Sequence, residues 1–419
     1  MKKIKWFVPI TMFVMGLVTP VFTSCGDDDD ETIKIEEQDY MSSLEQKQKL
    51  EIVGVDLVEH FKAADFQNVY DLALYIEEEY VDYYEADAIE KWADNCLESI
   101  TKFLKTEDDY YSYNYFKRIY AASNFTGHFE PKNGKWVYTA ADDLQFSLKD
   151  EEGNNCVLKL TTSGKTQTVY VGEDEDWDNY WDDYEVDVYK EYLDVPEVLT
   201  LTLIQGKSTV AKVTINTDLK MMSNPDFDLN NDVYDVKATV TVNGYDWIVE
   251  RAYFDGNSSA NLSAKFKKDG KVLLSTSGSV DGDVSSEEAK NLNLRLDVMG
   301  EVQIQGACND VMKLADILDK AEDEEENEGN FKSYTNQANE LIDLGVYYGT
   351  SIKQAYIKLE PFEENDWGYY KYWESEPVIY FFDGSSYSTF EAFFNESSFN
   401  DFIDAVKDLI NDYEKTYDM

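Results

Sequence analysis

The chain has 419 residues, 85 of them Asp or Glu against 37 Lys or Arg, giving a formal charge of −48 at neutral pH. So acidic a protein repels phosphate backbones and anionic headgroups, which argues against nucleic acid as a partner and makes solubility the plainest use of the charge. Hydrophobic residues make up 43%, an ordinary globular share, so most of the length is expected to fold.

Lys2, Lys3 and Lys5 precede an uncharged apolar run from Trp6 to Phe22 that contains Pro9, Gly16 and Pro20. A membrane-spanning helix needs roughly 20 apolar residues. A basic start, a short apolar run and small residues at its end predict an export signal over residues 1–24 that is removed. The competing reading is an uncleaved membrane anchor. The run ends in Phe22-Thr23-Ser24-Cys25, an apolar residue, two small ones and a cysteine. This resembles the bacterial lipobox, with Phe22 where leucine is usual. The resemblance implies diacylation of the Cys25 thiol, cleavage before it, and a covalent lipid (the palmitate class of modification) on the first residue of the mature chain. Two or more acyl chains hold a protein firmly at a membrane, whereas one is marginal.

Asp27, Asp28, Asp29 and Asp30 follow directly. The run resembles the surface-export signal of Bacteroidota-type surface-exposed lipoproteins. That resemblance implies an outer-membrane location, lipid-anchored and facing outward. Residues 25–39 also read simply as a solvated acidic linker, and the two readings are compatible.

Region 40–123 is predicted helical. Leu50, Val53, Leu57 and Phe61 recur at helical steps, as do Ile89, Trp92, Cys96, Ile100 and Phe103. Over 124–306 the period becomes two. Strands are expected at 135–138, 144–148, 157–162, 168–171, 198–204, 209–215, 233–242, 247–254, 262–266, 272–276, 292–298 and 301–305. Asn243-Gly244 and Asp269-Gly270 are hairpin turn signals. With no helix-length connections, such strands must pair antiparallel. Region 307–419 is mixed: helical spacing over 307–321 and 331–347, strands at 352–359 and 377–382, and a last amphipathic helix opened by Ser398 and Asp401 as a capping box. The expected fold class is α+β: N-terminal helices, a large antiparallel β-meander, and C-terminal helices with a short β-hairpin. Residues 40–419 form either one compact unit or a helical end docked beside a β-sandwich.

Cys25, Cys96, Cys156 and Cys308 include no Cys-x-x-Cys, and once Cys25 is lipidated at most one disulfide remains; buried free thiols are expected. His60 and His128 are the only histidines, too few for a multi-histidine zinc site, and no Gly-x-Ser-x-Gly surrounds a serine. Asp226, Asp228, Asn230 and Asp232 begin like a calcium loop, but Asn231 and Lys237 stand where it needs Gly and Glu. No metal is assigned, and calcium lacks a complete motif. Paired carboxylates could support glycoside hydrolysis, but among so many acids no pair stands out.

Aromatic clusters carry the stronger signal. Trp177, Tyr180, Trp181 and Tyr184 sit among aspartates, and Trp367, Tyr369, Tyr370 and Trp373 form a second group. Sugar C–H faces stack on aromatic planes while sugar hydroxyls bond to carboxylates, so both groups are candidate ligand-binding residues. Core or cross-strand packing is the strong competing account of both groups. The expected function is binding of an extracellular ligand, a glycan first, or of a partner outer-membrane protein. A surface glycoside hydrolase and a carrier of an apolar ligand are the alternatives.

Overall fold

A computed structural model describes residues 40–80, 119–120, 122–133, 135–177, 186–220, 232–256, 258–283, 288–366, 370–383, 387–389 and 399–416. The signal segment, Cys25, Asp27–Asp30, Cys96 and the helical stripe from Ile89 to Phe103 lie outside these. Among the described residues the protein is mixed and mostly β, with long antiparallel ladders and five helices. The chain divides into two compact units.

Two helices begin it, α1 (Ser43–Glu59) and α2 (Ala64–Tyr80). Ala64–Gly256 belongs to the first unit. Here α2 is followed by β1 (Gly127–Pro131), β2 (Trp136–Thr139), β3 (Leu144–Lys149), β4 (Asn155–Trp177), β5 (Val186–Gln205), β6 (Ser208–Lys220), β7 (Val233–Val242) and β8 (Tyr245–Phe254). From β3 to β8 each strand pairs antiparallel with the next. β1 departs from the meander by pairing parallel with β3 and antiparallel with β2. The Asn243-Gly244 turn forms as its sequence dictates, with φ of 46° and 83°.

Strand alternation gives this sheet two unlike faces. Phe146, Leu158, Leu160, Leu199, Leu201, Leu203, Val213 and Ile215 point to one, where Val69, Leu72, Ile76 and Tyr80 of α2 complete the core. The other carries Gln145, Lys159, Thr161, Thr200, Thr202, Lys212, Thr214, Thr239 and Thr241, none of them buried.

β4 and β5 run much further than their hydrophobic pattern indicates. Gly164, Pro196 and the acidic residues read as breaks. The ladder absorbs them: its register shifts between Ser163 and Thr166, Gly164 takes φ of 81°, and Pro196 lies opposite Thr166. A bulge is where a strand tolerates a residue that cannot donate.

The second unit joins α1 to Asn257–Met419. It contains β9 (Ser259–Lys268), β10 (Lys271–Asp283), β11 (Glu288–Val298), β12 (Val302–Cys308), α3 (Val311–Asp323), α4 (Glu328–Asn339), β13 (Ile342–Tyr347), β14 (Ala355–Asp366), β15 (Tyr370–Phe381), β16 (Tyr387–Thr389) and α5 (Asn400–Thr416). Consecutive strands again pair antiparallel. Val302, Val346, Ala355, Ile357, Ile379 and Phe381 form its core with Val53 of α1 and Phe399 beside α5.

Residues 331–347 do not form one helix. α4 stops at Asn339, and 342–347 is a strand between β12 and β14, with Gln303 opposite Tyr347 and Leu344 opposite Ile357. Apolar residues at 338, 341, 342, 344 and 346 fit either period, and the open edge of β12 decides the matter. Asn339 closes the junction: its side chain accepts from Leu359 N–H (2.8 Å) and donates to Leu359 C=O (2.7 Å), standing in for a neighbouring strand.

Candidate functional site

In β14 and β15, Ile357 and Ile379 point into the core, so the alternate residues occupy the opposite face. Tyr356 pairs with Tyr380, Lys358 with Val378, and Glu360 with Glu376. The Tyr356 and Tyr380 rings stack 5.1 Å apart at 4°. Phe382 extends the row 5.5 Å from Tyr356, and Tyr40 stacks on Phe382 at 4.7 Å. Phe382 is 38% exposed, which leaves one ring of the ladder open to a ligand. Polar groups fringe the rings. Lys358 Nζ lies 5.3 Å from the centre of the Tyr356 ring, and the Tyr380 hydroxyl donates to Glu360.

The start of α1 fixes the Tyr40 end of this ladder. Ser42 caps the helix in a reciprocal box with Glu45. Met41 N–H donates to Gln354 Oε1 (2.7 Å), the Gln46 amide donates to Gln354 C=O (2.8 Å), and Ser43 N–H donates to Asp383 (2.8 Å). Tyr40 therefore joins the acidic segment before it to a pinned helix end.

The first unit carries a cleft of about 530 Å³ lined by Asn68, Asp71, Tyr75, Asp150, Glu151 and Gln205, among others. Asp150 is the buried anchor of the β3–β4 turn. Its carboxylate accepts from Asn154 N–H (2.7 Å), the Asn154 amide (3.0 Å) and the Gln205 amide (2.7 Å). Burial works to raise its pKa, and the Asn154 and Gln205 bonds outweigh it, holding the carboxyl below the usual range. Asp71 goes the other way: burial first, then the charge of Glu151, push it up. Two carboxylates of one cleft thus have environments that move their protonation apart, the pattern that acid–base pairs use.

Both histidines are engaged by carboxylates or backbone. His128 Nε2 lies 2.7 Å from Asp143, which also holds Lys159 at 2.5 Å. His60 Nδ1 is 2.6 Å from Asp56 C=O, and Lys271 lies 3.3 Å from its Nε2. Cys156 and Cys308 are free and buried. Burial, helped by Asp150, pushes the Cys156 thiol up to about 11, which suits packing and not nucleophilic chemistry.

Of the aromatic residues singled out in the sequence, Trp177 ends β4 opposite Val186, and Tyr370 opens β15 opposite Asp366. Trp373 is half-buried; its backbone N–H donates to Glu325 C=O (2.8 Å), just before α4, and Lys332 Nζ of α4 lies 4.5 Å over its ring. Tyr180, Trp181, Tyr184, Trp367 and Tyr369 lie outside the described residues. So do Asp226, Asp228 and Asn230, whereas Asp232 is buried. Among the described residues no group of three or more His, Cys, Asp or Glu is placed to hold a metal ion, and no helix is long and apolar enough to cross a membrane.

The Tyr356–Tyr380 row is the feature that sequence reading missed. Its signal is present only as Tyr356 beside Ile357 and Tyr380 beside Ile379, and the register of the two strands is what sets the two tyrosines side by side. The fold and site define a mixed, mostly β protein with an aromatic ladder on one sheet face. No known protein family, curated protein or solved structure matches the chain.

Proposed function

We propose that this is a lipid-anchored outer-membrane protein, held through Cys25 and displayed outward by Asp27–Asp30, that binds an extracellular glycan. In this reading the fold is N-terminal helices, a β-meander, and C-terminal helices with a short hairpin, all serving to present a binding face. The observation that carries it is the ladder Tyr380–Tyr356–Phe382–Tyr40. Its two stacked pairs, Tyr356 on Tyr380 and Tyr40 on Phe382, the exposed Phe382 and the flanking Lys358 and Glu360 supply the apolar surface and polar rim on which a sugar stacks. The clusters at Trp177, Tyr180, Trp181 and Tyr184 and at Trp367, Tyr369, Tyr370 and Trp373 are further candidates. Affinity electrophoresis of the full chain through gels containing neutral polysaccharides tests the reading. Tyr356→Ala with Phe382→Ala should abolish retardation. Retardation that survives this change but is lost in Trp177→Ala with Trp181→Ala would move the site to that cluster.

A surface glycoside hydrolase is the second reading, favoured by Asp71, whose raised carboxyl beside Glu151 fits a proton donor next to a carboxylate. Release of reducing ends, lost in Asp71→Asn, would establish it; binding without chain shortening leaves the first reading standing.

A further inference from the structure

Tyr40 differs from the other rings of the ladder in how it is held. Tyr356 and Tyr380 belong to paired strands, and Phe382 directly follows β15. Tyr40 stands ahead of α1, outside any helix or strand. The hydrogen bonds that fix the helix start belong to the residues after it. Met41 N–H donates to Gln354, Ser42 and Glu45 cap each other, and Ser43 N–H donates to Asp383. The Gln46 amide donates to Met41 C=O (3.1 Å) and to Gln354 C=O. Among the described residues the one polar or ring contact of the Tyr40 side chain is the Phe382 ring, 4.7 Å away at 26°.

That stack covers one face of Phe382, and a sugar ring lying flat on Phe382 there needs the same face. The stack is also weak: an aromatic pair shifts an equilibrium by only about two- to tenfold. The Tyr40 ring leaves by rotation about its own side-chain bonds, and no hydrogen bond of the helix start is broken when it does. Phe382 is 38% exposed with Tyr40 in place, so a ligand reaches its margin first. Tyr356 supports Phe382 from within the sheet at 5.5 Å whether or not Tyr40 is stacked.

Resting on the glycan reading of the ladder, we infer that Tyr40 is a built-in cap on the binding face. Closed, it stacks on Phe382 and competes with the ligand. Open, it yields that face to a sugar ring. The apparent dissociation constant is the intrinsic one divided by the open fraction, so a cap held by one stack weakens binding about two- to tenfold. The site thus regulates itself through the residue that joins it to the segment before α1.

Affinity electrophoresis of the full chain through hydroxyethyl cellulose, dextran and galactomannan tests the cap, because Tyr40→Ala and Tyr40→Phe leave the charge unchanged. Tyr40→Ala should be retarded at a polysaccharide concentration about two- to tenfold lower than wild type. Tyr40→Phe keeps the stack and should match wild type. Retardation of Tyr40→Ala where wild type runs free is the same result in its strongest form. The cap is overturned, with the ladder reading intact, if wild type is retarded, Tyr356→Ala with Phe382→Ala is not, and Tyr40→Ala binds no better than wild type. It is overturned too if Tyr40→Phe tightens binding as much as Tyr40→Ala, which would assign the effect to the hydroxyl. If no polysaccharide retards any of these chains, or if retardation survives Tyr356→Ala with Phe382→Ala, the ladder reading falls and the cap with it. Thermal unfolding of both Tyr40 variants checks that the start of α1 is kept.

Discussion

Gly54 of α1 sits against the ring of Phe402 in α5: a Cβ added at Gly54 would lie 2.7 Å from Phe402 Cδ2. Two helices from opposite ends of the sequence meet at this glycine because nothing larger fits between them. Alanine gains about 1 kcal/mol of helix propensity over glycine, which the displaced ring offsets. Gly54→Ala should therefore be near neutral in denaturant melts, and Gly54→Leu should cost about 1–3 kcal/mol through overpacking. Combined with Phe402→Ala, Gly54→Ala should become stabilising; strict additivity would show that the two residues do not press on each other.

Asn339 is expected to be a strong position. Asn339→Ala orphans the N–H and C=O of Leu359 together and should cost about 1–3 kcal/mol. Asn339→Asp keeps the acceptor and loses the donor, so it should fall between alanine and wild type. Equal losses for the two variants would mean that water replaces both bonds.

Asp143 makes stability depend on acid pH. The Lys159 hydrogen bond, then that of His128, hold its carboxyl below the usual range. A carboxyl depressed by folding stabilises the native state above its unfolded pKa of about 3.9, and that contribution is lost as pH falls through the folded value. Asp143→Asn should thus melt earlier than wild type at neutral pH, with the gap closing as pH falls through the depressed folded value. A gap that persists in acid would assign the loss to packing.

Cys156 and Cys308 should resist alkylation in the native protein at mildly alkaline pH and react once it is unfolded. Both thiols are buried, and burial raises both pKa values. Peptide mass spectrometry after iodoacetamide treatment reads each cysteine separately. Native labelling at Cys156 would contradict its place beneath the sheet.

The elements were legible where local chemistry and core demand agree. The strand 233–242 and the Asn243-Gly244 turn follow from alternation and a dipeptide that tolerates positive φ. Legibility failed where tertiary pairing overrides the pattern. Pro196 and Gly164 sit inside one long ladder because a bulge removes their penalty, and 342–347 is a strand because β12 and β14 flank it. Trp373 reads as a platform aromatic, and only the packing of α4 reveals Lys332 over its ring.

What the sequence determines by itself is the chain's acidic character, the lipobox-like Phe22–Cys25, the acidic run after it, and the two periods that divide helices from strands. These are local properties, readable within a few residues. Which aromatics share a face and which residues meet across strands depend on strand register. Tyr356 meets Tyr380, and Lys212 meets Thr241, only because a particular pairing sets them opposite each other. A slip of one residue would turn every such side chain to the other face, so register decides the candidate surface.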